Sequence, residues 1–155
     1  MSRVDPCGEY SYTYDWVIGA RCIFGPPNEL VAYIMAHPHM VFPFGMDCPA
    51  LHLGEECMLH PLETDDLIRV SSVTSTSFTF TVVHWQYGDP EGSKITFSIL
   101  SSIKVGDTLQ QHGYAPSANL FVNLLAPAIA LQEWAIMADR LNADAVQVMR
   151  FRRTS

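Results

Sequence analysis

The chain has 155 residues, enough for a single domain that buries roughly 70% of the surface its unfolded form exposes. Only 16% of the residues are charged and 48% are hydrophobic, and nine basic against sixteen acidic residues leave a net charge of −7. That balance argues against sequence-independent nucleic-acid binding, which needs clustered Lys and Arg, and the scarcity of charge points to a large apolar interior, to a patch that pairs two copies as a homodimer, or to both.

The opening MSRVDPCGEY lacks the apolar stretch of a secretory signal, and no run approaches the ~20 apolar residues of a membrane span. Cys7, Cys22, Cys48 and Cys57 fit neither paired CxxC zinc motifs nor a dense disulfide framework. Reduced thiols in a cytoplasm are the expectation. The basic cluster Arg150, Arg152 and Arg153 reads as a solvated tail.

In chain order, residues 9–24 begin with alternation that places Tyr10, Tyr12, Tyr14, Trp16 and Ile18 on one face of a strand. These aromatic residues suit either a pocket lining or a subunit contact. GPPNELVAYIMAHP follows. Pro26 and Pro27 suit a turn and the first helical positions, Leu30, Val31 and Ile34 recur at helical spacing, and Pro38 ends the pattern. Residues 40–50 hold Pro43, Gly45 and Pro49, so an apolar loop or a broken second helix is expected. Strands are expected at 51–60, 67–73, 78–85, 94–100 and 107–114. The turn formers Gly88 to Gly92 join two of them as an antiparallel hairpin. Beyond Ser117 or Asn119, which can cap a helix, Phe121, Leu124, Leu125, Ala128, Leu131, Ala135 and Ala138 recur at three- and four-residue steps. A helix to about Asn142 follows, kinked or restarted at Pro127. A helix this long needs a sheet to lie on, and a strongly twisted antiparallel sheet would serve.

Three stretches carry a resemblance. IFGPPNELVAYIMAHP, GSKITFSI and FVNLLAPAIALQEWAIMADRLN resemble the strand-to-helix step, a late sheet strand and the final helix of the START-like (SRPBCC) superfamily. That superfamily includes polyketide cyclases and lipid-transfer domains. The resemblance implies one α+β helix-grip domain across 1–155, with a core of roughly 9–142: a twisted antiparallel sheet wrapped around a long C-terminal helix. It also implies an apolar cavity between the two, fit for a hydrophobic or polycyclic ligand. Phe78, Phe80, Val82, Trp85, Phe97, Phe121, Leu125 and Trp134 are the residues expected to line it.

Within 78–85, alternation puts Phe78, Phe80, Val82 and His84 on the more apolar face, which should turn inward. An imidazole in a partly apolar cavity is held towards its neutral form and can accept a proton near pH 7. The plainer reading is a histidine bonded to a backbone carbonyl at the core's edge. Gln110, His112 and Tyr114 share a face of a polar strand, either as an interior hydrogen-bonding row or as the solvent side of the sheet. Glu133 stands beside Trp134; a carboxylate on the buried side of the helix would be costly unless paired, and therefore informative. His37 and His39 spell HxH, but two imidazoles are not a site, and neither a metal nor a cofactor is expected. No GxSxG elbow, P-loop or GxGxxG occurs.

The expected function is a polyketide cyclase-like enzyme that holds a hydrophobic, carbonyl-rich substrate inside the fold. Positioning plus acid/base catalysis by His84, His112 and Tyr114 would promote cyclisation, dehydration or isomerisation. The alternative is a carrier of a lipid or other hydrophobic small molecule without chemistry. A third possibility is an α+β cone of the SnoaL type, which usually begins with helices rather than a strand.

Overall fold

The computed structural model describes residues 2–4, 10–18, 27–60, 66–83, 92–102, 106–116 and 131–142. His84, Trp85, most of the Gly88–Gly92 turn, Phe121, Leu125 and Pro127 lie outside them. Eight strands form one antiparallel sheet in the order β1-β2-β8-β7-β6-β5-β4-β3. They are β1 (Ser2–Val4), β2 (Tyr10–Ile18), β3 (Gly45–Met46), β4 (Glu56–His60), β5 (Asp66–Val73), β6 (Ser77–Val82), β7 (Lys94–Ser102) and β8 (Gly106–Ala115). The helices are α1 (Pro27–Ala36), the single turn α2 (Pro38–Val41) and the C-terminal α3 (131–142).

Inward and outward residues alternate cleanly in the central strands. Phe78, Phe80 and Val82 on β6, and Ile95, Phe97 and Ile99 on β7, are buried, while their neighbours in sequence reach the other face. Register then aligns these side chains across the sheet. Phe78 pairs with Phe97 and Phe97 with Gln111; Phe80 pairs with Ile95 and Ile95 with Gly113. On β8 the inward set is Asp107, Leu109, Gln111, Gly113 and Ala115. On β2 it is Tyr12, Tyr14, Trp16 and Ile18, with Tyr12 and Ile18 fully buried. Tyr12, Tyr14 and Trp16 of the aromatic row therefore face the core.

The α1 segment begins at Pro27, whose missing N–H costs nothing at a helix start, and it buries Leu30, Val31 and Ile34. It stops at Ala36 because Pro38 disfavours helical backbone at the residue before it; a new turn then starts on that same proline. After α2 the chain dips inward. Phe42 is 1% exposed, and its ring stands 5.3 Å from Phe97, 5.6 Å from Phe80 and 6.3 Å from Phe78. Phe44 meets Trp134 edge-on at 6.1 Å. The proline-broken segment 40–50, expected only as an apolar loop or broken helix, thus supplies two rings to the interior. The expected strand at 51–60 shortens to Glu56–His60, because Gly54 adopts φ 84°, a left-handed turn conformation that favours glycine. The tiny strand β1 was not foreseen.

One expectation is corrected. Cys48 and Cys57 form a disulfide, with Cα atoms 5.7 Å apart, where reduced thiols were expected. The cause is register. Gly45 pairs with His60 and Met46 with Leu59, and Asp47 N–H donates to the Met58 carbonyl, so the next rung sets Cys48 opposite Cys57. Spacing along the chain does not reveal this.

Among the described residues no helix is long and apolar enough to cross a membrane.

Candidate functional site

The concave face of the sheet and α3 enclose the interior. Turns of α3 place Trp134, Met137, Ala138 and Leu141 on one buried stripe. Trp134 stands edge-on to Phe97 at 5.2 Å, and Phe97 stacks on Phe78 at 4.9 Å. Four of the residues expected to line a cavity, Phe78, Phe80, Phe97 and Trp134, are thereby brought together, with Val82 further along the same strand face. Phe42 is the ring that sequence reading did not place among them; its signal was the apolar run Met40 to Phe44 around Pro43.

Polar groups are set into this apolar frame. The Trp134 indole N–H donates to the Tyr12 hydroxyl at 2.9 Å. The Trp16 indole donates to Gln111 Oε1 at 2.6 Å, and Gln111 Nε2 lies 3.4 Å from the Trp134 carbonyl. Gln111 is fully buried, so its amide needs these partners. Tyr14 lies beside Tyr12, ring centroids 5.0 Å apart, and burial raises its hydroxyl pKa above the ordinary value. Among the described residues, Ser93 Oγ, near the β6–β7 turn, and Asp107 Oδ2, at the opposite end of the concave face, are buried without a hydrogen-bond partner. Its other carboxylate oxygen accepts from Ser101 at 2.9 Å.

Glu133 is 8% exposed. Burial raises its pKa, and the positive charge of Arg140 pulls it part of the way back. Arg140 is itself anchored, donating to the Phe42 carbonyl at 2.7 Å. The helical wheel offset Glu133 from the main stripe. Its burial was legible only as the lesser of two alternatives.

His112 and Tyr114 lie elsewhere. His112 is exposed on the convex face, its Nδ1 hydrogen-bonded to the Thr13 hydroxyl at 2.8 Å, and Gln110 on the same face donates to Asp15 at 3.0 Å. Tyr114 shares that face. Of the two alternatives for this row, it takes the solvent side of the sheet: β8 turns its other set inward because Gln111 and Gly113 are the residues that Trp134 and Tyr12 cover.

The convex face carries an open groove of about 760 Å³, lined by Arg69, Ser71, Thr79, Thr81, Lys94 and Thr96 among others. Its polar groups largely satisfy each other. Ser71 and Thr81 hydroxyls are 2.7 Å apart, Thr79 and Thr96 are 2.9 Å apart, and Arg69 pairs with Glu56 at 2.8 Å. The geometry is that of a solvated sheet face.

A curled antiparallel sheet closing on a C-terminal helix defines the helix-grip fold of the START-like type. The same fold is found in the ginseng major latex-like protein 151 from Panax ginseng, with a TM-score of 0.66, 12% identity, and coverage of 88% of this chain and 97% of that one. KanY is similar at TM-score 0.62, 12% identical, covering 89% and 98%. DynU16, from the dynemicin biosynthetic locus, is similar at TM-score 0.54 and 12% identity, over 89% of this chain but 47% of its own. No family model matches the chain, and no curated protein matches it in sequence. At such identities these likenesses carry the fold and leave the activity to the site.

Proposed function

We propose that this protein binds a hydrophobic small molecule between the concave sheet and α3. One observation carries the reading: rings from four separate segments, Phe42, Phe78, Phe97 and Trp134, converge under α3, and Ser93 Oγ, in the inward row of Ile95 and Phe97, and Glu133, next to Trp134 on α3, are buried polar groups. An apolar lining with few polar groups is how small-molecule sites fix a greasy ligand in one orientation. The finer reading is a cyclase-like enzyme acting on a carbonyl-rich substrate. Glu133 would then be its interior acid, and His84, by strand alternation, its second proton-transfer group. The two remaining candidates, His112 and Tyr114, face away.

A carrier without chemistry is the second reading. It is favoured by the interlocking of Tyr12, Trp16, Gln111 and Trp134, which leaves their polar groups engaged with one another. Native mass spectrometry of the purified protein, followed by titration with an anilinonaphthalene dye, tests the common ground. One apolar molecule per chain, displaceable by the dye, is expected. A protein that carries nothing, and binds neither dye nor long-chain ketones up to their solubility, refutes both readings. Retained binding with lost turnover in His84→Ala or Glu133→Gln separates enzyme from carrier.

A further inference from the structure

We propose that residues 48–57, once Cys48 and Cys57 are reduced, form a binding site for a single zinc ion, held by Cys48, His52, Glu55 and Cys57. Both sulfurs and a Glu55 carboxylate oxygen lie within 4.8 Å of one another. Glu55 Oε1 is 3.7 Å from Cys57 Sγ, and Glu55 Oε2 is 3.6 Å from His52 Nδ1. Tetrahedral zinc with bonds of 2.0–2.3 Å sets its donors about 3–4 Å apart, so a small separation of the sulfurs brings them and Glu55 to bonding positions, and the exposed His52 ring reaches the fourth by rotating toward them. Two thiolates, an imidazole and a carboxylate are a borderline-soft donor set that suits zinc better than magnesium or calcium.

The loop is positioned without the disulfide. Glu55 N–H donates to the His52 carbonyl at 3.0 Å, closing a turn in which Gly54 supplies the left-handed residue. Gly54 N–H to the Val70 carbonyl (2.7 Å) and Val70 N–H to the Glu55 carbonyl (2.9 Å) clamp the turn to β5. Leu51 N–H to the Met35 carbonyl (2.7 Å) ties it to α1. Opening the disulfide therefore leaves the turn that carries His52 and Glu55 in place, with Glu55 beside the thiols. A dithiol reductant supplies two electrons and two protons to the S–S bond and leaves as its own disulfide. Zinc then displaces the two thiol protons. A disulfide oxidant takes the two electrons back and leaves as its dithiol, which re-forms the S–S bond and ejects the ion, so metal loading follows the thiol redox state.

The test uses the full chain with Cys7→Ser and Cys22→Ser, so that other thiols contribute nothing. Protein reduced with dithiothreitol and desalted without oxygen is titrated with Co²⁺. The expected result is one Co²⁺ per chain, with the intense visible bands of tetrahedral cobalt and a thiolate charge-transfer band, both abolished by one equivalent of Zn²⁺. Unreduced protein should show neither. Cys48→Ser removes the charge-transfer signal or halves it, and His52→Ala and Glu55→Gln weaken binding about ten-fold or more. The neighbouring pair His60 and Asp47, 3.0 Å apart, stands outside the donor set, so His60→Ala leaves the affinity unchanged. Reduced protein that takes up no cobalt while keeping its native circular dichroism overturns the proposal. So does equal binding by unreduced protein, or a loss in His60→Ala matching that in His52→Ala.

Discussion

The indole N–H of Trp134 on α3 donates to the hydroxyl of Tyr12 on β2 at 2.9 Å, inside the fold and across 122 positions of sequence. Removing the acceptor leaves a buried donor unmet, which costs more than the net value of a hydrogen bond. Tyr12→Phe should therefore lose about 1–3 kcal/mol of stability, read as a lower urea midpoint at unchanged m-value.

Gly113 lies directly under the Tyr12 ring, where any Cβ would overlap the ring atoms. Gly113→Ala forces the ring aside and should destabilise by about 1–3 kcal/mol, as overpacked cores do. In a Tyr12→Ala background the same change should cost much less. A double-mutant cycle by urea denaturation checks this, and additive effects would show that the two positions do not share the space.

Phe42 fills the space between Phe78, Phe80 and Phe97. Phe42→Ala should cost about 3–5 kcal/mol, the usual toll for a buried ring. It also opens room exactly where an apolar ligand would lie, so dye affinity should rise in this variant as stability falls. Calorimetric unfolding and dye titration on the same preparation give both readings.

Burial raises the Glu133 pKa, so the folded state favours the protonated carboxyl. The sign follows from linkage: a raised native pKa means the native state binds more protons, and stability falls as pH rises through it. Wild type should thus lose stability relative to Glu133→Gln from mildly acidic pH upward, and the two should converge well below pH 4.3, the ordinary glutamate value. Thermal melts at a series of pH values check it; a constant difference at every pH would show that the charge on Glu133 does not matter. Arg140 moderates the effect, so Arg140→Met should enlarge it.

Much of the sheet was legible because alternation is local. Phe78, Phe80 and Val82 declare an inward face by themselves, as do Ile95, Phe97 and Ile99. The end of α1 was legible for an equally local reason, the backbone restriction that Pro38 imposes. β8 shows the limit. In DTLQQHGY neither alternating set is decisively apolar, so nothing local says whether His112 or Gln111 turns inward.

By itself the sequence determined most of the sheet strands, the first helix, and that a final helix lies on an antiparallel sheet, because these depend on side-chain periodicity over a few residues. Only the tertiary structure decided that Gln111 and Glu133 are buried while His112 faces water, that Phe42 enters the core, and that Cys48 meets Cys57. Each depends on what a distant element covers, or on the register of a strand pair, and a one-residue slip in register reverses every side chain's face.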